Sequence, residues 1–243
     1  MGINVNLDKV CTFACPYCQV DRREPQTSQA PPVNELLAEL DRFLGSYAQT
    51  GDYQGHQLKD ISIAGDGEPT TYKELPQLLE GLISRQQDSQ TPFKLVLFTN
   101  GTHLNRTDLA DLWARFFEVQ GEVWFKLDFW DQVSFERANG SQRNHQAVLD
   151  NLLQFSKAYP VTLQCCFFHN KTQPIDTGFA ALWSAQLTRL MDQGLQVQLI
   201  QVYTIARTPA DQNLVAYDQQ AMDKIGDQIR QATGQTVEIY YSH

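Results

Sequence analysis

Three of the chain's five cysteines, Cys11, Cys15 and Cys18, fall within the stretch "DKVCTFACPYCQVDRR" (8–23) as C-x3-C-x2-C. Thiolates so spaced are metal ligands, and three of them can hold three irons of a [4Fe-4S] cluster while the fourth iron stays open to a small molecule. Structural zinc is the competing occupant; usually four-coordinate and built from ligand pairs, it would need His169 or Cys166 as a fourth ligand. Disulfides fit poorly, because the cysteine number is odd and three crowded into one loop have no comfortable pairing geometry. A reducing compartment follows.

Other chemistry-bearing residues lie downstream. In "ISIAGDGEPTTY" (61–72), Gly65 and Gly67 let backbone approach a ligand closely, and Glu68 offers a carboxylate to an ammonium group. The plainer reading is a strand-to-helix turn with Glu68 at the positive end of the next helix. Lys126 and Asp128, two apart on a predicted strand, face the same side of it, either toward a ligand or as an ion pair at a rim. Asn100, in "LFTNGT" (97–102), hydrogen-bonds a ligand or caps its turn. The fifth strand puts Gln164 and Cys166 on one face and Cys165 on the other. Buried free cysteines are ordinarily small hydrophobes, and His169 reads as a satisfied rim residue. "VYTIARTP" (202–209) brings Tyr203, Thr204 and Arg207 to the end of the sixth strand, where Arg207 grips an anion bidentately or joins a surface salt bridge. The aromatics of "WFKLDFWD" (124–131) suit base stacking but read first as core.

These residues must be positioned by an alternation of short β-rich runs and longer segments of helical period. Strands are predicted at 3–7, 60–64, 94–98, 122–128, 161–168, 197–203 and 236–241, and helices at 33–49, 73–88, 105–118, 142–157, 176–193 and 217–232. Asn105 followed by Asp108 marks one helix start, and Gly194 one helix stop. The βα unit repeated six times, plus a last strand, demands a parallel sheet with right-handed crossovers, open or barrel-like. Each chemistry-bearing motif falls at a strand's carboxyl end, where parallel βα barrels collect their reactive loops. The Pro-rich stretch "REPQTSQAPP" (23–32), directly after the cysteines, is a candidate lid.

With 243 residues, 42% of them hydrophobic and 19% charged, the chain has enough material for one well-buried domain, expected to span 1–243. It shows no apolar run long enough for a membrane span and no signal-peptide pattern, so a cytoplasmic protein is expected. The net charge of -9 gives no global attraction to phosphate backbones, although Arg22 and Arg23 could form a local basic patch. Nucleic acid is therefore allowed but not favoured.

"CTFACPYC" after a first strand, including Tyr17 before the third cysteine, resembles the cluster motif of the radical S-adenosylmethionine (radical SAM) superfamily. "GDGEPT" resembles that superfamily's Gly-Gly-Glu-type motif in the Gly-x-Gly-Glu-Pro-Thr form of the branch around the wyosine tRNA-modification enzymes and uncharacterised relatives. "LFTNGT" and "FKLD" fit the same plan, and the matches run in order from residue 3 to about 208. The resemblance implies a partial (β/α)6 barrel, here with an added C-terminal strand. It further implies a [4Fe-4S] cluster on Cys11, Cys15 and Cys18 that binds SAM and cleaves it reductively to methionine and a 5'-deoxyadenosyl radical.

By the same resemblance, Gly65, Asp66, Gly67 and Glu68 bind the methionyl amino group. Asp128 meets the ribose hydroxyls, Lys126 the SAM carboxylate or substrate, and Val202 and Tyr203 pack on adenine. Tyr17 and Asn100 complete the SAM surroundings, while Gln164 and Arg207 are substrate candidates. Flavodoxin or ferredoxin would supply electrons. An RNA-modifying member of the superfamily, or a non-catalytic zinc or iron-sulfur protein, are the alternative readings. With so little chain outside the barrel, substrate recognition is expected from the barrel's own loops, the final helix and strand, or a partner.

Overall fold

A computed structural model describes residues 1–21, 29–51, 55–89, 91, 93–172 and 178–242. The candidate lid is described only over 29–32, and Arg22 and Arg23 lie outside the described residues. The strands are β1 (Gly2–Asn4), β2 (Asp60–Ala64), β3 (Lys94–Thr99), β4 (Gly121–Lys126), β5 (Val161–Cys166), β6 (Phe168–Asn170), β7 (Val197–Tyr203), β8 (Leu214–Ala216) and β9 (Val237–Tyr240). The helices are α1 (Val33–Thr50), α2 (Leu75–Asp88), α3 (Trp113–Glu118), α4 (Gln132–Asn139), α5 (His145–Ser156), α6 (Gly178–Asp192) and α7 (Gln219–Thr233), with 3-10 turns at Pro69–Thr71 and Thr107–Leu112.

Two compact units divide the chain. The first comprises Met1–Cys11, Pro25–Thr99 and His103–Val123. Its strands β1, β2 and β3 pair in parallel, Ile3 beside Ile63 and Ile61 beside Leu95. Helix α2 buries Leu75, Leu78, Leu79, Leu82 and Ile83 along one stripe, the i, i+3, i+4, i+7 pattern that hides one helix face.

The second unit comprises Thr12–Glu24, Asn100–Thr102 and Trp124–His243. Here the C-terminal half of β4 pairs in parallel with β5, β5 with β7 and β7 with β9, so that Lys126, Gln164, Gln201 and Glu238 stand in one row across four strands. Trp183 of α6 is buried and donates its indole N–H to the Leu127 carbonyl (2.7 Å). An Asp218 side chain caps α7 through Ala221 N (2.8 Å), and Gly234 ends it in the left-handed region (φ 67°). The strand order is β1-β2-β3-β4-β5-β7-β9.

Several predicted boundaries shift for identifiable reasons. The first strand stops at Asn4 because the chain turns, Lys9 N bonding Asn6 O with Lys9 at φ 57°. The fourth strand ends at Lys126, so Asp128 is not on it; the two still approach to 3.8 Å because Asp128 turns back to accept from Cys166 N (2.8 Å). The predicted strand 161–168 breaks at Phe167, and β6 pairs instead with β8 in a separate two-stranded antiparallel sheet. The predicted helix 105–118 is a 3-10 turn followed by α3. Helix α4 is an element that strand-helix alternation did not anticipate.

Candidate functional site

In the first unit, the "GDG" turn is fastened to the end of β1. The Asn4 carbonyl oxygen Oδ1 accepts from Asn6 N (3.0 Å) and Asp66 N (3.2 Å), while Asn4 Nδ2 donates to Asp66 Oδ2 (3.1 Å). Asn6 Nδ2 donates to Thr71 Oγ1 (3.2 Å). Gly67 is required by close approach: a Cβ there would stand 2.0 Å from the Val10 carbonyl oxygen, immediately before Cys11. The backbone that approaches is therefore the chain's own. Glu68 N completes the contact by donating to Val10 O (2.9 Å).

Glu68 is buried, and its Oε1 accepts from Thr70 N (3.1 Å), Thr70 Oγ1 (2.6 Å) and Thr99 Oγ1 (2.6 Å). It thus caps the short turn that follows, the structural role foreseen as the plainer reading, with its carboxylate held in a fixed orientation.

In the second unit, the cysteine loop is tied down by backbone on several sides. Ala14 N donates to Asn139 O (2.9 Å), Ala210 N to Cys18 O (2.9 Å) and Asp211 N to Pro16 O (3.1 Å), while Cys18 N turns back on Cys15 O (3.0 Å). Gly140 ends α4 at φ 56°, and a Cβ on it would meet the Ala14 carbonyl oxygen at 2.2 Å. Phe13 packs edge-on against Phe135 of α4 at 5.2 Å. Asn100 Nδ2 donates to Thr12 Oγ1 (2.9 Å), and its Oδ1 accepts from Thr102 N (3.1 Å) and Thr102 Oγ1 (2.8 Å), so Asn100 holds the start of this loop.

Around Cys15 the side chains form a dense polar network. Asp128 accepts from Cys166 N on Oδ1 and from Tyr17 Oη and Asn139 Nδ2 (3.4 Å) on Oδ2; a ribose hydroxyl would have to share those oxygens. Asn139 Nδ2 also reaches Cys15 Sγ (3.5 Å). The Lys126 ammonium lies between the rings of Tyr17 (5.1 Å) and Tyr203 (5.0 Å) and donates to Tyr203 Oη. Burial, and then the Asp128 carboxylate, push the Cys15 thiol up to about 11. The same two causes, in the same order, raise Tyr17, Cys165 and Cys166. A metal would reverse this at Cys15, because coordination deprotonates a thiol outright.

The other predicted residues are placed as follows. Gln164 Nε2 donates to Gln201 Oε1 (2.9 Å), Val202 is fully buried, and Thr204 Oγ1 bonds Phe167 O (2.8 Å). Arg207 is exposed. His169 packs on the Tyr217 ring (5.2 Å). Trp130 stacks on Phe179 of α6 (5.3 Å), a packing role, beside a cavity of about 40 Å³ also lined by Asp128, Arg137, Cys166 and Trp183.

None of the five cysteines is in a disulfide, and among the described residues no three His, Cys, Asp or Glu side chains converge as a single metal ion would need. A cluster makes a different demand, one thiolate for each of three irons, and Cys15 and Cys18, in a loop tied down through its backbone, suit that demand. Asn4, Asn6, Asn139 and Gly140 are the site residues that sequence reasoning missed. Asn-Gly closing "DQVSFERANG" (131–140), which begins with an Asp–Ser capping pair, was the available signal for α4 and its end.

Residues 5–173 match the model of the radical SAM superfamily. The chain belongs to the radical SAM superfamily. Among curated relatives, this radical SAM chain is 27% identical over 154 residues to UPF0026 protein MJ1312 of Methanocaldococcus jannaschii, covering 63% of itself and 43% of that protein. It is 31% identical over 112 residues to the GTPase Obg of Brachyspira hyodysenteriae, covering 45% of itself and 15% of that protein. The chain thus spans less than half the length of these relatives.

A radical SAM methyltransferase from Sphaerobacter thermophilus aligns with a TM-score of 0.70 at 14% identity, over 96% of this chain and 64% of that one. Native anSMEcpe with bound AdoMet gives 0.64 at 14% identity, over 98% and 62%. Archaeal TYW1 gives 0.51 at 16%, over 95% and 77%. The fold is the superfamily's partial (β/α)6 barrel. Its members use SAM and an iron-sulfur cluster. No helix among the described residues is long and apolar enough to cross a membrane.

Proposed function

We propose that the chain is a radical SAM enzyme whose cluster is held by Cys11, Cys15 and Cys18. When bound, the cluster supplies the electron that cleaves SAM to methionine and a 5'-deoxyadenosyl radical, which takes hydrogen from a substrate. The observation that carries this reading is the cysteine loop: its backbone is fixed at Ala14, Pro16 and Cys18, and none of its three cysteines is tied up in a disulfide.

In the first unit, Asn4 and Asn6 set the Gly65–Glu68 turn, and Thr70 and Thr99 orient the Glu68 carboxylate toward an ammonium group. In the second, Tyr17 and Asn139 fix Asp128, and Asn100 fixes Thr12. Held between two tyrosine faces, Lys126 keeps a positive charge available for a carboxylate. Tyr203 offers an aromatic surface to a purine, and Val202, fully buried beside it in β7, backs that strand from the core. Gln164 and Arg207 are assigned to the substrate, and flavodoxin or ferredoxin to electron supply.

The test is anaerobic reconstitution with iron and sulfide, reduction by dithionite or flavodoxin, addition of SAM, and quantitation of 5'-deoxyadenosine by mass spectrometry. Formation of 5'-deoxyadenosine that depends on all three cysteines is expected. A fully loaded protein that binds SAM and yields none with either reductant would refute the enzymatic reading.

A further inference from the structure

The Asn139 amide is fully buried at the last position of α4, and its two nearest polar neighbours fix which way it points. Asp128 Oδ2, 3.4 Å away, is a carboxylate oxygen held by hydrogen bonds to other donors, so it can only accept. The Asn139 nitrogen therefore faces Asp128, and with one N–H on the carboxylate its second is directed at Cys15 Sγ, 3.5 Å away. Backbone reinforces the placement, since Ala14 N bonds Asn139 O and Gly140 abuts the Ala14 carbonyl. Asn139 Oδ1 has no partner in the structure, so the side chain is held by its nitrogen alone.

We infer that Asn139 is a positioning residue that sets the reduction potential of the cluster through a hydrogen bond to the sulfur of Cys15, with Asp128 fixing its orientation. The inference rests on Cys15 being a cluster ligand. Hydrogen bonds to cluster sulfurs are one of the factors that tune the potential. Reduction adds one negative charge to the cluster and its thiolates. An N–H dipole aimed at a ligand sulfur stabilises that added charge, so its removal makes the cluster harder to reduce. The sulfur of Cys15 is also half-buried, where a fixed dipole is screened less than in water.

The experiment is an anaerobic redox titration of the reconstituted protein, wild type and Asn139→Leu, followed by the electron paramagnetic resonance signal of the reduced cluster. The expected result is a lower midpoint in the variant: about a tenfold smaller ratio of reduced to oxidised cluster at a given potential, ~59 mV for a one-electron couple. Iron and sulfide content are measured on both proteins. Pulsed resonance on wild-type protein labelled with 15N-asparagine serves as the second readout, with a 15N coupling to the reduced cluster expected; it decides the matter if the leucine variant does not load. Equal midpoints in two fully loaded proteins, or no 15N coupling in the wild type, overturn the inference while leaving the enzymatic reading intact. Failure of the wild type itself to form a [4Fe-4S] cluster overturns both.

Discussion

Gly67→Ala is the perturbation whose cost follows most directly from the structure. An added methyl carbon would lie 2.0 Å from Val10 O, 2.7 Å from Asn6 Cβ and 2.8 Å from Val10 C. Ordinary contact needs about 3.5 Å, so backbone must part by roughly 1.5 Å, and no flexible side-chain tip can absorb the shift. Overpacking of this kind costs about 1–3 kcal/mol, and losing the Glu68 N to Val10 O bond adds about 1 kcal/mol. For a domain of this size, a total of about 2–4 kcal/mol lowers Tm by roughly 5–15 °C. Gly45→Ala is the matched control: Gly45 lies inside α1 with nothing within 4 Å of an added Cβ, and alanine there should stabilise by about 0.5–1 kcal/mol. Thermal melts under anaerobic, reducing conditions make the comparison. A Gly67→Ala protein melting with the wild type would show that the tight seat of the GDG turn on Val10 is not real.

Gly140→Ala puts a methyl carbon 2.2 Å from Ala14 O at a left-handed position, and should reduce iron and sulfide loading at least severalfold; full loading would contradict the docking of the cysteine loop on α4. Glu68→Gln keeps an acceptor for Thr70 and Thr99, so melting should change by less than about 1 kcal/mol while SAM affinity, read by calorimetry, falls about tenfold or more; unchanged affinity removes Glu68 from SAM binding. Trp183→Phe strips the buried Leu127 carbonyl of its indole donor and should cost about 1–3 kcal/mol in urea unfolding, visible as a lower midpoint at constant slope. Asp41 and Asp108 are held below the usual carboxylate value by hydrogen bonds from Arg85 and Arg106. Their contribution is complete above the unfolded value of about 3.9 and lost as pH falls through the folded values, so Asp108→Asn should flatten the acid limb of the stability curve.

Elements defined by long periodic stretches were legible. Strand β7 was bounded correctly at both ends, and α1, α2 and α6 nearly so, because apolar period and glycine or proline punctuation agree there. The local motifs were legible too, since C-x3-C-x2-C and GDGEP carry their spacing in the chain itself. What eluded the sequence was the partner of each motif. Nothing adjacent to Gly67 indicates that Val10 will fill the space beside it, and nothing near Cys15 indicates an asparagine at position 139. Asp128 shows the same limit. Its pairing with Lys126 was inferred from a strand that in fact ends one residue earlier than Leu127, and its engagement by Tyr17 and Cys166 depends on how the loop folds back.

The cysteine loop offers three thiolates rather than four, which leaves one iron of a [4Fe-4S] cluster for SAM. Mössbauer spectroscopy of protein reconstituted with 57Fe, recorded with and without SAM, tests that directly. Three thiolates and an open iron predict that SAM shifts the parameters of one iron in four and leaves the other three unchanged. Four equivalent irons, indifferent to SAM in a fully loaded protein, would contradict the claim.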